Sequence, residues 1–282
     1  KQIVTPSKDR VKVDCEHFRS CGGCVFRHIS YEAEKELKRQ KVVDAFQRLA
    51  HMDIPVKDII TCETERYRNK AQYPVGSDKG IVAGFYAQKS HRIVDSSDCI
   101  LQPEEFAKIV DVVKAWMTEF GVTAYDSINH TGLVRHIYIR KAFETGQIMV
   151  CLVINGNALP YAEELCDDLM IFKDIKSIVI NENTEKTNVI LGKKCTTLWG
   201  EDYIEDVLCG VKIRLSPLSF YQVNHDAAEL LCRTAADIAD LKGDEHFLDL
   251  YCGIGTIGLS LADGSMDEPT LLQWVREHTK RA

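Results

Sequence analysis

Three cysteines fall within ten residues, as Cys15-x5-Cys21-Gly22-Gly23-Cys24, and form the densest group of soft ligands in the chain. A fourth, Cys99 in Asp95-Ser96-Ser97-Asp98-Cys99-Ile100-Leu101, follows a polar turn from which it can close the set at a distance. Four thiolates serve tetrahedral zinc and iron-sulfur clusters alike, and the spacing leaves both open. The tighter cysteine triplet of a radical-type cluster is absent. The glycine pair suits a loop that turns several sulfurs inward, since such a loop calls for backbone angles that residues with a side chain rarely adopt. The other seven of the 11 cysteines (Cys62, Cys151, Cys166, Cys195, Cys209, Cys232 and Cys252) are scattered singly, which is no disulfide framework. Cys151, inside Met149-Val150-Cys151-Leu152-Val153-Ile154, is expected to be a small buried hydrophobe.

A second chemistry-bearing stretch is Phe247-Leu248-Asp249-Leu250-Tyr251-Cys252 followed by Gly253-Ile254-Gly255-Thr256-Ile257-Gly258. It predicts a strand, a glycine turn and a helix start, where free N-H groups meet a ligand. Gly-x-Gly-x-x-Gly fits a dinucleotide oxidoreductase as well as a turn that packs on S-adenosyl-L-methionine. The acidic residue at the end of a following strand, which would arbitrate, is not found. After Ala262 the chain reads Asp263-Gly264-Ser265-Met266-Asp267-Glu268-Pro269, then a short expected helix over 270–280.

Cations and flat rings interleave over 66–92: Arg66, Arg68, Lys70, Lys89 and Arg92 among Tyr67, Tyr73, Phe85 and Tyr86. They offer charge for phosphates and faces for bases, or else a core with a charged rim. The formal net charge of -7 is unevenly placed. Residues 1–100 hold 18 Lys and Arg against 14 Asp and Glu, net +4, and residues 101–282 hold 17 against 28, net -11. Contact with a polyanion is therefore expected in the first part.

These residues need elements to hold them. At 45% apolar and 27% charged, 282 residues suffice for one large or two medium domains. No stretch approaches the roughly 20 apolar residues of a membrane span, and residues 1–14 lack a signal-peptide pattern, so the cytoplasm is the default. The polar segment Thr5-Pro6-Ser7-Lys8-Asp9 reads as a linker from something upstream. Residues 30–50 form an expected amphipathic helix capped by Ser30, with Ala33, Leu37, Val42, Val43, Phe46 and Leu49 at helical spacing. An antiparallel pair is expected over 66–94, a helix over 104–120, two strands over 133–155 around Glu144-Thr145-Gly146, a helix over 158–172 and a strand over 177–181. That order suggests a mixed α+β domain.

Taken together, the cysteine signature with Cys99, Tyr67-Arg68-Asn69-Lys70, Gly84-Phe85-Tyr86, Arg135-His136-Ile137, the run from Ser216-Pro217-Leu218 through Ser219-Phe220-Tyr221 to Gln222-Val223-Asn224, and Asp249-Leu250-Tyr251-Cys252-Gly253 resemble a known family. It is the RNA uracil-C5 methyltransferases that carry an iron-sulfur cluster, of the 23S rRNA type, and the likeness covers roughly residues 5–262. The resemblance implies a 4Fe-4S cluster on Cys15, Cys21, Cys24 and Cys99, and contacts to S-adenosyl-L-methionine by Gln222, Tyr251 and Thr256. It implies the fold class: an α+β central domain with an Fe-S loop, followed by the start of an α/β Rossmann-like methyltransferase domain. The implied division is a linker at 1–14 from an N-terminal RNA-binding β-barrel, a cluster-bearing RNA-binding domain at 15–210 whose helix at 30–50 packs on the methyltransferase domain, the start of that domain at 211–262, and a divergent tail at 263–282.

The implied reaction is methylation of uracil C5 in RNA, 23S rRNA above tRNA, by a monomer. A cysteine thiolate adds to C6 so that C5 takes the methyl group, and a base then removes the C5 proton. The family's nucleophile and base lie downstream of the glycine loop, in a segment with no counterpart here, so no catalytic residue is assigned and the chain alone is expected to be inactive. A non-catalytic RNA-binding module is the competing reading; a nicotinamide oxidoreductase would leave the cysteines unexplained.

Overall fold

The computed structural model describes residues 3–242, 250 and 255–261. The expected strand at 247–252, with Tyr251 and Cys252, and the tail helix at 270–280 lie outside the described residues.

Seven strands make the principal sheet: β1 (Lys70–Ser77), β2 (Ile81–Tyr86), β3 (Ile93–Asp95), β4 (Val134–Lys141), β5 (Ile148–Ile154), β6 (Ile175–Glu182) and β7 (Lys194–Gly200). Their order is β3-β2-β1-β4-β5-β6-β7. Pairing is antiparallel except between β5 and β6, where a helix crosses over. Register sorts the side chains to two faces. Tyr73, Ile137, Leu152 and Ile180 stand opposite one another across four strands and join the core cluster, while Gln72, Tyr138, Cys151 and Val179 form the neighbouring row on the other face. All seven residues of β5 are buried, because both faces are covered at that strand. Cys151 is among them, as its apolar run predicts.

The first face is covered by α2 (Glu104–Glu119), which buries Phe106, Ile109, Val110, Val113, Trp116 and Met117 at helical spacing, and by α3 (Ala162–Leu169). The indole of Trp116 donates to the Tyr161 carbonyl at 2.9 Å, tying the two helices. α3 is shorter than the expected 158–172, since Tyr161 takes a left-handed angle (φ 54°) that starts the helix late.

A hairpin of β8 (Ile204–Leu208) and β9 (Val211–Leu215) covers part of the second face, its turn lying at the expected domain boundary near residue 210. Ile204, Leu208 and Leu215 pack there with Tyr138, Met149, Cys151 and Val179, joined by Tyr221. The buried Asp206 carboxylate accepts from the backbone of Phe143 and Glu144 and from the Tyr221 hydroxyl. After it come α4 (His225–Ala239), capped by Asn224, and α5 (Thr256–Leu261).

Near the start, α1 (Tyr31–Asp44) continues as a π-helical turn, Ala45–Leu49. Ser30 caps it as expected, its hydroxyl accepting from Ala33 N at 3.3 Å. The amphipathic face does not behave as expected. No residue of this helix is buried, and Leu37, Val42, Phe46 and Leu49 are exposed, because none of the described residues covers that side. Among the described residues no helix is long and apolar enough to cross a membrane.

Candidate metal centre and its surroundings

The loop bearing the first three cysteines winds tightly on itself. Cys15 O accepts from Phe18 N, and His17 O accepts from both Ser20 N and Cys21 N, the latter at 2.7 Å. It is fastened to the end of β2: Cys21 bridges Ala87, and Gly22 N donates to Tyr86 O at 2.9 Å. The two glycines serve a different purpose from the one their chemistry suggests, since neither adopts a positive φ. A Cβ at Gly22 would stand 3.1 Å from the Tyr86 carbonyl oxygen and 3.2 Å from the backbone of Gln88, and one at Gly23 would lie 3.4 Å from Cys21 Sγ. Close approach is the reason for glycine at Gly22.

Arg27 closes the loop from below, with two 2.7 Å bonds to the Asp14 carboxylate and one of 3.0 Å to Glu65. These bonds hold the Asp14 carboxyl below the usual carboxylate range.

Cys99 arrives from the turn after β3. Arg66 holds that turn: its guanidinium donates to Asp98 Oδ1 at 3.0 Å, to Cys99 O at 3.3 Å and to Gln102 O at 2.9 Å. The backbone of Arg66 and Arg68 donates to Ile100 O and Leu101 O. Arg66 was a candidate phosphate contact in the sequence; its guanidinium is instead committed to the Cys99 turn.

All four cysteines, 15, 21, 24 and 99, line one cavity of about 270 Å³, with Phe18, Arg27, Arg68, Phe85 and Gln102 among its walls. Burial pushes the Cys24 and Cys99 thiols up, and their neighbouring sulfurs push the same way. A bound cation would reverse this, because a coordinating thiol gives up its proton. Among the described residues no three His, Cys, Asp or Glu converge closely enough to hold a single metal ion.

The basic and aromatic residues of 66–92 divide. Tyr73 is wholly buried and packs on Phe85 at 5.1 Å between ring centres, so these two rings belong to the core. Tyr86 is partly exposed, set edge-on to His91, and exposed Lys89 and Arg92 flank that turn. Lys70 and Arg68 reach the cysteine cavity, and burial, then Arg140 and Arg68, lowers the Lys70 pKa.

Two buried arginines were not singled out as supports by sequence patterning. Arg135 sits 4.5 Å from the Tyr125 ring and donates to the carbonyls of Asn183, Glu185 and Thr187. It thereby fixes the loop whose Ile190 reaches the cysteine cavity. Arg140 donates to Ser216 O at 2.9 Å and Ser219 O at 2.8 Å, anchoring the segment that leads to Gln222. The available signal was a lone arginine among the apolar residues of a strand, which is buried only when its donors are met.

Of the expected cofactor contacts, Gln222 has an exposed side chain, and its carbonyl accepts from Asn69 Nδ2 at 2.8 Å. Thr256 is the first residue of α5, directly after Gly255 at φ 78°, an angle that favours glycine. Tyr251 lies outside the described residues.

No protein-family model matches the chain. An uncharacterized RNA methyltransferase of Clostridium tetani is 46% identical over 92% of this chain and 57% of its own length. Relatives of the same designation from Halalkalibacterium halodurans and Listeria monocytogenes are 42% and 40% identical, each covered over 58%. The crystal structure of Pyrococcus abyssi tRNA (uracil-54, C5)-methyltransferase with S-adenosyl-L-homocysteine superposes with a TM-score of 0.74 at 25% identity, over 99% of this chain and 64% of that one. The chain thus spans rather more than half the length of the relatives it matches. Over most of its length the chain is a homologue of bacterial RNA methyltransferases.

Proposed function

We propose that this chain is the cluster-bearing and cofactor-proximal part of an S-adenosyl-L-methionine-dependent RNA methyltransferase acting on uracil C5, with ribosomal RNA as the favoured substrate. The observation that carries the proposal is that Cys15, Cys21, Cys24 and Cys99, 75 residues apart at the extreme, line one cavity in a chain homologous to RNA methyltransferases. Four thiols fit a 4Fe-4S cluster by their chemistry. Around zinc, Zn-S bonds of about 2.3 Å would bring the sulfurs within roughly 4 Å of one another. Thiols set around a cavity suit a larger inorganic core better.

In this reading residues 1–14 are a linker, 15–210 carry the cluster and meet RNA, and 211–262 begin the cofactor domain. The chain's own residues hold and orient: Arg66 and Arg27 set the cysteine turns, Arg68 and Lys70 bring charge to the cavity wall, and Lys89 and Arg92 stand free for phosphates beside Tyr86. Gln222, Tyr251 and Thr256 are the proposed contacts to S-adenosyl-L-methionine, which when bound supplies the methyl group. The cluster is structural and positions RNA, and the protein is cytoplasmic and monomeric.

The test is genetic and chemical together. Cells lacking the gene should lose a 5-methyluridine from ribosomal RNA, and loss of any other modification would overturn the reaction. Loss from transfer RNA instead would favour the second reading, which the tRNA designation of the structural neighbour supports. Anaerobically purified protein should be coloured and bleach on reduction, whereas colourless zinc-loaded protein would overturn the cluster.

A further inference from the structure

Two polar groups beside the cysteine cavity are buried without a partner. The Tyr73 hydroxyl is one: the residue is 0% exposed, and no hydrogen-bond partner lies within reach of its oxygen. The Gln102 amide is the other, since its Oε1 is equally buried and unpartnered, and Gln102 itself lines the cavity. Native proteins rarely leave such groups unpaired, because burial strips their water and returns nothing. Two of them at one site point to a missing acceptor.

The surroundings narrow what that acceptor is. The charged and titratable groups that act on the Tyr73 hydroxyl are Cys99, Asp98 and Arg66. Asp98 accepts from Arg66, and Arg66 is further spent on two carbonyls, which leaves the Cys99 sulfur as the neighbour without a committed bond. The backbone of Gln102 is fixed as well, its N-H on Cys99 O at 2.8 Å, so its amide group stands beside the same cysteine. The two ends of an amide exchange by a half-turn, so this side chain can present N-H where its oxygen is drawn. Sulfur on iron, whether cysteinyl or inorganic, accepts hydrogen bonds and offers no proton in return.

We infer that the Tyr73 hydroxyl and the Gln102 amide donate hydrogen bonds to sulfur of the cluster held by Cys15, Cys21, Cys24 and Cys99. The inference rests on the cluster reading above and goes beyond it by assigning two residues that ligate nothing. Hydrogen bonds to sulfur stabilise the more negative, reduced state and so raise the reduction potential. They also keep the Cys99 turn closed against oxygen.

The experiment compares anaerobically reconstituted wild type with Tyr73→Phe, Gln102→Met and the double variant. Wild type should hold four irons and four sulfides per chain. Each variant should keep that content, show a more negative midpoint potential and bleach several-fold faster in air, the double variant most of all. Iron-sulfur stretching bands should shift in heavy water for wild type and less in the variants. Cluster-loaded variants with the wild-type potential, bleaching rate and isotope shift would overturn the inference while leaving the cluster in place. Wild type without iron would overturn the cluster reading itself, so the two failures are distinguishable. Tyr73→Phe keeps the ring against Phe85, and metal-free it should melt no lower than metal-free wild type, because the hydroxyl removed had no partner.

Discussion

Residues 3–68 contain no buried residue, whereas β5 buries every one of its seven. The two regions adjoin and are held by different physics. The sheet with α2 and α3 removes Trp116, Phe106, Ile137, Leu152 and Ile180 from water and is stable through area and close packing. The cysteine loop and α1 have no such core. Their bonds are Arg27 to Asp14 and Glu65, Arg39 to the Val56 carbonyl, and surface pairs such as Glu34 with Lys38. Exposed pairs of that kind contribute little. A short loop-rich segment without a core needs a staple, and four converging cysteines are a means of supplying one. The comparison teaches that the cysteine site is as much a condition of local order as a functional site.

The sharpest way to break that comparison is to remove the staple. Cys24→Ala or Cys99→Ala should abolish iron binding and collapse amide-exchange protection across residues 9–30 and 96–102, with β4, β5 and β6 unchanged. Undiminished protection of 9–30 in the iron-free protein would show that the loop stands alone. Next in size, Trp116→Ala should cost about 3–5 kcal/mol in a denaturant titration, through a cavity and a lost bond to Tyr161 O. The same kind of truncation at exposed Leu37 should stay within about 0.5 kcal/mol. Similar costs at the two positions would erase the distinction between the regions.

Acid should reach the sheet through one residue. Burial, then the Arg135 charge, lowers the His136 pKa to about 4 from the ordinary 6.5. The unfolded chain therefore binds the extra proton first, so the stability tied to neutral His136 is whole above pH 6.5 and is lost as pH falls toward 4. The loss amounts to roughly 3 kcal/mol. His136→Leu should flatten that limb of the stability profile, and an unchanged slope would place the acid sensitivity elsewhere. The smallest effect is expected at the helix cap: Ser30→Ala should cost about 1 kcal/mol of α1 stability, read as faster exchange at 31–34.

Much of the first region was legible because its signals are local. Ser30 before a periodic run predicts a cap, and three cysteines within ten residues predict a shared ligand. The apolar alternation of β1 and the unbroken apolar run of β5 predict strands, and the structure contains both. What sequence patterning missed depends on side chains that travel far. Arg66 looks like a phosphate contact in Arg66-Tyr67-Arg68, yet its guanidinium is spent on a turn more than 30 residues away. Residues Tyr73 and Phe85 look like stacking rings beside those cations, yet register turns them to the helix-covered face. The reason for glycine at Gly22 was misjudged likewise, since a close approach to Tyr86 and Gln88 is invisible until β2 is in place.

The amino-acid sequence by itself determined which residues could bind soft metal, where the long helices and most strands begin, and which known family the chain resembles, because each of these rests on residue type and short-range spacing. Only the tertiary structure decided that Cys99 shares a cavity with three cysteines 75 or more residues before it, that Arg135, Arg140 and Arg66 are supports held in place by backbone carbonyls, and that the Tyr73 hydroxyl ends unpartnered beside Cys99. The physical reason is that burial and hydrogen-bond partnership belong to pairs of residues brought together by sheet register, and register is a property of the whole sheet.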